Sequence, residues 1–318
     1  MPTAKKLVVV APFLNEAENL PVLYDRVVQA MAGQPEQLQI LFVDDGSTDR
    51  SVQWVQSQAA ADNRVRLLRL SRNFGHQIAI TAGMDHADGD AVVIIDADLQ
   101  DPPEVIPDLL SKWREGYEVV YAVRRSRAGE TWLKKFLATS FYKVFRALAK
   151  VNVPMNAGDF RLVDRKVVDA LKEVRELHRF MRGLTCWVGY HQGAVYYERA
   201  ARHAGETKYP VWKSLRLAVD AITSFSATPL RWITGLGTLV SLTGMVLALR
   251  LIWGYFINPE KLAPGWTSIM AIVLLLGGVQ LICLGMIGQY IGRIFEESKK
   301  RPLYFLRQDN ARAGLEDP

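Results

Sequence analysis

From Trp266 to Ile291 the chain runs for 26 residues without a charged side chain. A helix needs only ~18 such residues to be read as membrane-spanning. A second uncharged stretch, Ile233 to Leu249, reaches spanning length only if it continues through Arg250 to Ile257. Arg250 then either snorkels to the interface or pairs inside a helix bundle. Trp232, Trp253, Tyr255, Trp266 and Tyr290 sit near the segment ends, where aromatic belts form. The rest of the chain is different in kind, because residues 1–229 carry charges throughout. The expected organisation is a globular domain over 1–210, a juxtamembrane helix over 211–229, two spans within 230–292 (231–257 and 266–291), and a tail over 293–318.

Charge sets the expected orientation. The loop Asn258–Gly265 holds one Lys and one Glu, whereas Arg293, Lys299, Lys300 and Arg301 follow the second span and a basic domain precedes the first. The positive-inside rule places both termini in the cytoplasm and the short loop outside, in a multi-pass protein of the inner (cytoplasmic) membrane. Met1 to Leu7 lacks the apolar core of a secretory signal. The two cysteines, Cys186 and Cys283, fall one in the globular part and one mid-span, which excludes a disulfide framework. The net charge of +6 suits nucleic acid, anionic lipid or a phosphorylated substrate, and the spans favour the last two.

The N-terminal part alternates strands and helices. Lys6–Pro12, Leu38–Val43, Val65–Leu70 and Ala91–Ile95 are apolar runs of strand length, separated by helical patterns at Asn15–Ala32, after Thr48 or Asp49, and at Gly75–Met84. This order implies an α/β fold with a mostly parallel, doubly wound sheet, whose ligands bind at the carboxyl ends of the strands. Asp44, Asp45, Asp96 and Asp98 all fall there. In VVIIDADLQDPPE, Asp96 and Asp98 project to one side if the strand continues through them, with the Gln100 amide close behind. Two carboxylates and an amide oxygen suit a hard cation, Mg²⁺ or Mn²⁺, whose shell is commonly completed by substrate phosphates.

Residues 131–150 form a basic amphipathic pattern. Leu133, Phe136, Leu137, Phe141, Val144, Phe145 and Leu148 share a face, and Lys134, Lys135, Lys143, Arg146 and Lys150 lie among them. Such a helix either lies on an anionic membrane surface or packs on the domain core. Val211–Phe225 is a second amphipathic candidate, leading into the first span.

Six fragments in this order resemble the family 2 glycosyltransferases of the GT-A fold, and within them the polyisoprenyl-phosphate glycosyltransferases. They are Val9–Glu16 (VVAPFLNE), Asp44–Asp49 (DDGSTD), Arg72–His76 (RNFGH), Asp96–Glu104 (DADLQDPPE), Gly158–Leu162 (GDFRL) and Arg199–Tyr209, where Arg199, Arg202, Gly205, Lys208 and Tyr209 fit. The likeness extends to the bacterial type with two C-terminal spans that loads glucose onto undecaprenyl phosphate. It implies a nucleotide-diphosphate sugar donor, UDP-glucose favoured, with Pro12, Leu14, Glu16, Asp45 and Asp96 lining the nucleotide-sugar pocket. Asp96, Asp98 and Gln100 would hold Mg²⁺ or Mn²⁺. Arg124, Arg127 and Arg202 would bind the phosphate of a polyprenyl lipid, and Asp98, Asp159, Arg202 and Lys208 would be the catalytic set. Asp159 orients an arginine, contacts the sugar, acts as a base, or pairs with Arg161 or a neighbouring arginine. Leu230-Arg231-Trp232 lacks the glutamine that the processive relatives carry, which argues against a polymerising enzyme.

The expected reaction is a single inverting displacement at the sugar C1. A phosphate acceptor is already anionic near pH 7, so no strong general base is called for. GDP-mannose or a UDP-amino sugar is the alternative donor, and a non-catalytic membrane scaffold or transport subunit the alternative class. Two acids on one strand end do not flank a bond as glycosidase acids do, and no nucleic-acid module is present. Gly277, Gly278, Gly285, Gly288 and Gly292 permit close helix packing, within one chain or in a homo-oligomer.

Overall fold

A computed structural model describes residues 4–125, 157–198, 228–257 and 265–307. The expected helix over 131–150, the juxtamembrane helix over 211–229, and Arg127, Arg202, Gly205 and Lys208 lie outside the described residues. The chain divides into two units, Met1–Val211 with Pro302–Pro318, and Trp212–Arg301.

The first unit is built on a seven-stranded sheet of order β3-β2-β1-β4-β6-β5-β7. Strand β1 (Lys6–Phe13) is apolar along its length, and Leu7 to Ala11 are fully buried, because it lies inside the sheet between β2 (Gln37–Asp44) and β4 (Ala91–Ile94). Strands covered on both faces read as continuous rather than alternating apolar runs. β3 (Val65–Arg69) extends the parallel set as the edge strand. Helices α1 (Asn19–Ala30), α2 (Ser51–Ala61), α3 (His76–His86) and α4 (Ile106–Arg114) make the crossovers. From β1 the chain winds outward to β2 and β3, then returns to place β4 on the other side of β1. This reversal is the topological switch point, where a crevice opens at the strand carboxyl ends.

The second half of the sheet departs from the parallel pattern. β5 (Val119–Arg124) and β7 (Gln192–Tyr197) pair in parallel, and β6 (Ala157–Asp164) runs antiparallel to both β4 and β5. Helix α5 (Arg165–Glu173) starts directly after β6, with Asp164 Oδ1 accepting from Lys166 N at 3.0 Å as its cap. Helix α6 (Met181–Trp187) buries Met181 and Leu184.

The second unit contains α7 (Thr228–Ile257) and α8 (Trp266–Ser298). With 33 residues, α8 is about 50 Å long, well beyond a hydrocarbon core of about 30 Å. It passes the expected end at Ile291, since nothing between Gly292 and Ser298 breaks a helix once it reaches water. Leu276–Ser298 is long and apolar enough to cross a membrane and none of it is buried, while the apolar stretch on α7, Ile233–Val246, is shorter. Among the described residues, a Cβ on any of the five α8 glycines named above would meet nothing within 4 Å.

After α8 the chain rejoins the first unit. Leu306 bridges antiparallel to Leu70, Phe305 O accepts from Ser71 N at 2.8 Å, and Arg307 N donates to Arg69 O at 2.9 Å. Tyr304 is buried and donates to Asp85 Oδ2 at 2.9 Å. The segment thereby covers an edge strand that would otherwise offer unpaired backbone groups.

Candidate active site

The turn after β2 is closed on itself and on its neighbours. Asp44 Oδ1 accepts from Ser47 N at 2.7 Å. Asp45 reaches a loop some 30 residues onward, accepting from Phe74 N at 2.7 Å and from Gly75 N at 3.0 Å. Burial pushes the Asp45 carboxyl up from its ordinary value, and these two amides partly offset the shift. Gly46 has φ +85° and a Cβ there would stand 2.7 Å from Asn73 N, so only glycine lets the two loops approach. Asn15, itself at φ 57°, accepts from Thr48 N at 2.8 Å and ties the end of β1 to the same turn. Pro12 is buried and Leu14 exposed, while the Glu16 carboxylate accepts from Asn19 at 2.5 Å. The expected nucleotide-pocket residues Pro12, Leu14, Glu16 and Asp45 therefore gather at the ends of β1 and β2.

The turn after β4 is organised differently. The strand ends at Ile94, so Asp96 and Asp98 lie in a turn rather than on a strand as expected. Asp98 Oδ1 accepts from Gln100 N at 3.1 Å, and Leu99 takes φ 59°, which curls the chain back at the motif. Asp96 Oδ1 is buried and accepts no well-aligned hydrogen bond, although His76 Nε2 lies 3.2 Å away. An oxygen-only set of Asp96, Asp98 and Gln100, with one carboxylate oxygen left in this state, fits a hard divalent cation.

Asp159 is brought to the same place by register. Ile94 pairs with Arg161 across the antiparallel β4–β6 ladder, and two residues further on that register sets 96 opposite 159. His76, the first residue of α3, stands between them, 3.2 Å from Asp96 and 3.5 Å from Asp159. Arg182 on α6 holds Asp159 with two bonds of 2.9 Å. Arg161 is fully buried and donates to the backbone oxygens of Gly158 at 2.7 Å and Asp159 at 3.1 Å. Burial alone would raise Asp159, but His76, Arg182 and Arg161 hold it well below the ordinary carboxylate range. Burial likewise works against the His76 cation, and Asp159 and Asp96 overcome it, raising the imidazole to about 10. Of the four roles open to Asp159, pairing with a neighbouring arginine is the one observed. A carboxylate so firmly ionised is a weak proton acceptor.

Arg124 was expected to bind a lipid phosphate. Its guanidinium donates within the protein, to Asp101 Oδ1 at 3.2 Å and to Tyr197 Oη at 3.1 Å. Sequence reasoning also missed His76 and Arg182 as neighbours of the acidic residues. His76 sat within a quoted motif, whereas Arg182 carried no motif signal at all.

Residues 8–172 match the model of glycosyl transferase family 2. The chain is a family 2 glycosyltransferase. Among its relatives, the Bacillus subtilis (strain 168) glycosyltransferase YkcC is 47% identical over 94% of this chain and 93% of its own length. The bactoprenol glucosyl transferase of Shigella phage SfV is 41% identical over 96% of this chain and 99% of its own. A mannosyl-3-phosphoglycerate synthase from Rubrobacter xylanophilus, 20% identical, overlays on 72% of this glycosyltransferase and 74% of that chain with a TM-score of 0.47. The GT-A architecture expected for the family is the one the sheet displays, parallel through β1–β4 with the acidic motif at the switch point.

Proposed function

We propose that this glycosyltransferase moves glucose from UDP-glucose to undecaprenyl phosphate, with inversion, at the cytoplasmic face of the inner membrane. The observation that carries the reading is the meeting of Asp96, His76 and Asp159 at the end of β4, in the turn that also carries Asp98 and Gln100, in a chain 41% identical along almost its whole length to a bactoprenol glucosyl transferase. The uridine-diphosphate part of the donor is assigned to the wall made by Pro12, Leu14, Glu16 and Asp45, whose loops lock one another. Asp96, Asp98 and Gln100 would hold Mg²⁺ or Mn²⁺, which supplies charge to the departing diphosphate.

The residues of the chain do the remaining work by placement. The ionised Asp159, fixed by Arg182, borders the crevice without accepting a proton, which suits an acceptor oxygen that is already anionic. His76 and Arg182 add positive charge where two anionic substrates must meet. Arg202 and Lys208 are assigned to those phosphates on their motif, and Arg127 on its place before the basic amphipathic stretch. Aligning nucleophile and leaving group in line is the principal catalytic contribution expected.

Two features support a membrane hairpin. Leu276–Ser298 has the length and composition of a span. The segment after α8 also pairs with β3, so the chain leaves the catalytic domain near 211 and rejoins it at 302. A membrane segment that starts and ends on one domain crosses an even number of times, which supports α7 and α8 as the two spans with both termini cytoplasmic.

The test is transfer of radiolabel from UDP-glucose to undecaprenyl phosphate by purified protein with Mg²⁺, Mn²⁺ or chelator. Metal-dependent label in the organic phase supports the reading. Label only from GDP-mannose or a UDP-amino sugar overturns the choice of sugar, and no label from any donor favours a scaffold.

A further inference from the structure

The acidic motif ends in Asp101, a residue the proposed reaction does not use. It is 1% exposed, and a charge so deeply buried must be paired to be tolerated. Two groups answer it. Arg124, at the end of β5, donates through Nη2 to Oδ1 at 3.2 Å and Oδ2 at 3.4 Å. Tyr197, at the end of β7, donates its hydroxyl to Asp101 Oδ1 in a very short bond. The third side of the triangle closes when Arg124 Nε donates to Tyr197 Oη at 3.1 Å. Burial and the Asp101 carboxylate push the Tyr197 phenol upward, so it stays a donor across the working pH range.

The triangle lies between the two halves of the site. Asp101 directly follows Gln100, the last of the expected cation ligands. Opposite, a Cβ on Gly158 would stand 3.0 Å from Arg124 Nη2 and 3.6 Å from Asp101 Oδ2, and the next residue is Asp159. The turn that carries Asp96, Asp98 and Gln100 makes no ladder bonds of its own, because β4 has already ended at Ile94. Its far end is held by Asp101.

We infer that Asp101, Arg124 and Tyr197 form a latch that fixes the Asp96–Gln100 turn against the strand bearing Asp159, and that they are positioning residues for the divalent cation and the donor diphosphate. This rests on the cation site of the proposed function, and it removes Arg124 from the acceptor side. Breaking the latch changes donor-side binding and leaves acceptor binding alone.

The experiment compares wild type with Tyr197→Phe, which keeps the ring, and with Arg124→Lys, which keeps the charge and loses the two-nitrogen fork. Amide hydrogen exchange is followed over residues 96–101 of the full-length protein without ligand. Mn²⁺ affinity is then read by the free-ion EPR signal in the presence of UDP, and the apparent KM for undecaprenyl phosphate is measured. The latch predicts exchange at least about tenfold faster in the turn, with strand β1 unchanged, Mn²⁺ affinity weaker by about tenfold, and a lipid KM within twofold of wild type. Unchanged exchange in both variants overturns the latch. Faster exchange with unchanged Mn²⁺ affinity overturns its link to the cation. A raised lipid KM in Arg124→Lys with unchanged Mn²⁺ affinity returns Arg124 to the acceptor. Should wild type bind no Mn²⁺ with UDP, the proposed cation site fails, and the exchange data still decide whether the latch exists.

Discussion

Two acidic turns end the two strands that flank β1 in this sheet, and they have opposite chemistry. After β2, the oxygens of Asp44 and Asp45 are answered by the backbone amides of Ser47, Phe74 and Gly75. After β4, Asp96 keeps a buried oxygen without a well-aligned donor. Both read as aspartate pairs at strand ends, and an acid count does not separate them. What separates them is where the compensating charge comes from. The first turn is neutralised by backbone amides together with Arg69, whose Nε lies 3.6 Å from Asp44 Oδ2, and builds a wall. In the second, His76 stands beside Asp96, whose buried Oδ1 has no well-aligned donor, and that oxygen keeps capacity for a cation.

The sharpest way to break this contrast is Asp98→Ala. If the β4 turn serves a cation, transfer falls by about 3 kcal/mol of transition-state stabilisation, on the order of 100-fold, while Tm moves by less than about 2 °C. A large loss of Tm with activity kept in the folded fraction would make the two turns alike. Asp45→Ala is expected to do the reverse. Losing the carboxylate strands the Phe74 and Gly75 amides and costs about 1–3 kcal/mol in urea unfolding, with the KM for UDP-glucose rising as the loop loosens.

Much of this was legible in advance, and the parts that were not share a cause. The parallel strands β1–β4 follow from apolar runs and intervening helical periods, which are local. The antiparallel β6 and the meeting of Asp96 with Asp159 depend on register between segments about 60 residues apart, which no local pattern encodes. The aspartates at 96 and 98 were placed on a strand because the apolar run reaches Ile95. The strand stops one residue earlier and Leu99 turns left-handed. The contacts of Arg124 with Asp101 and Tyr197, 23 and 73 residues away, are likewise long-range. Arginines near a diphosphate-binding motif look the same in sequence whether they bind substrate or hold the scaffold.

Gly46→Ala sharpens the comparison from the wall side. A side chain at φ +85°, 2.7 Å from Asn73 N, forces the two loops apart. About 1–3 kcal/mol of stability should be lost by chemical denaturation, with donor affinity falling in step.

The smallest expected effect is on the charge that His76 lends the β4 turn. In metal-free protein the folded imidazole titrates near 10 rather than 6.5. Its pairing therefore stabilises fully below about pH 6.5 and fades as pH rises through about 10. Asp159, depressed below 3.8, contributes above that value and loses its share only as pH falls through its low native value. Wild type and His76→Asn should thus differ most in Tm between about pH 4 and 6.5 and converge toward pH 10. Because the imidazole is 44% exposed, water screens the pair, and the gap should stay within about 1–2 °C. A gap that widens with pH would show that the cation is not what His76 supplies.

The pairing of Leu306 with Leu70 also sets an order of events during synthesis. The edge of the sheet is made early, yet its cover at Leu306 is made only after both long helices. At about 5–20 residues per second the uncovered edge waits roughly 10–50 s, a period that includes passage of both long helices. Closing so long a loop costs little more entropy than closing a short one. The finished edge thus shows that both long helices have already been made. A ribosome that stalls after α8, or a helix that fails to insert and drags the tail out of reach, leaves β3 bare and open to pairing with another chain.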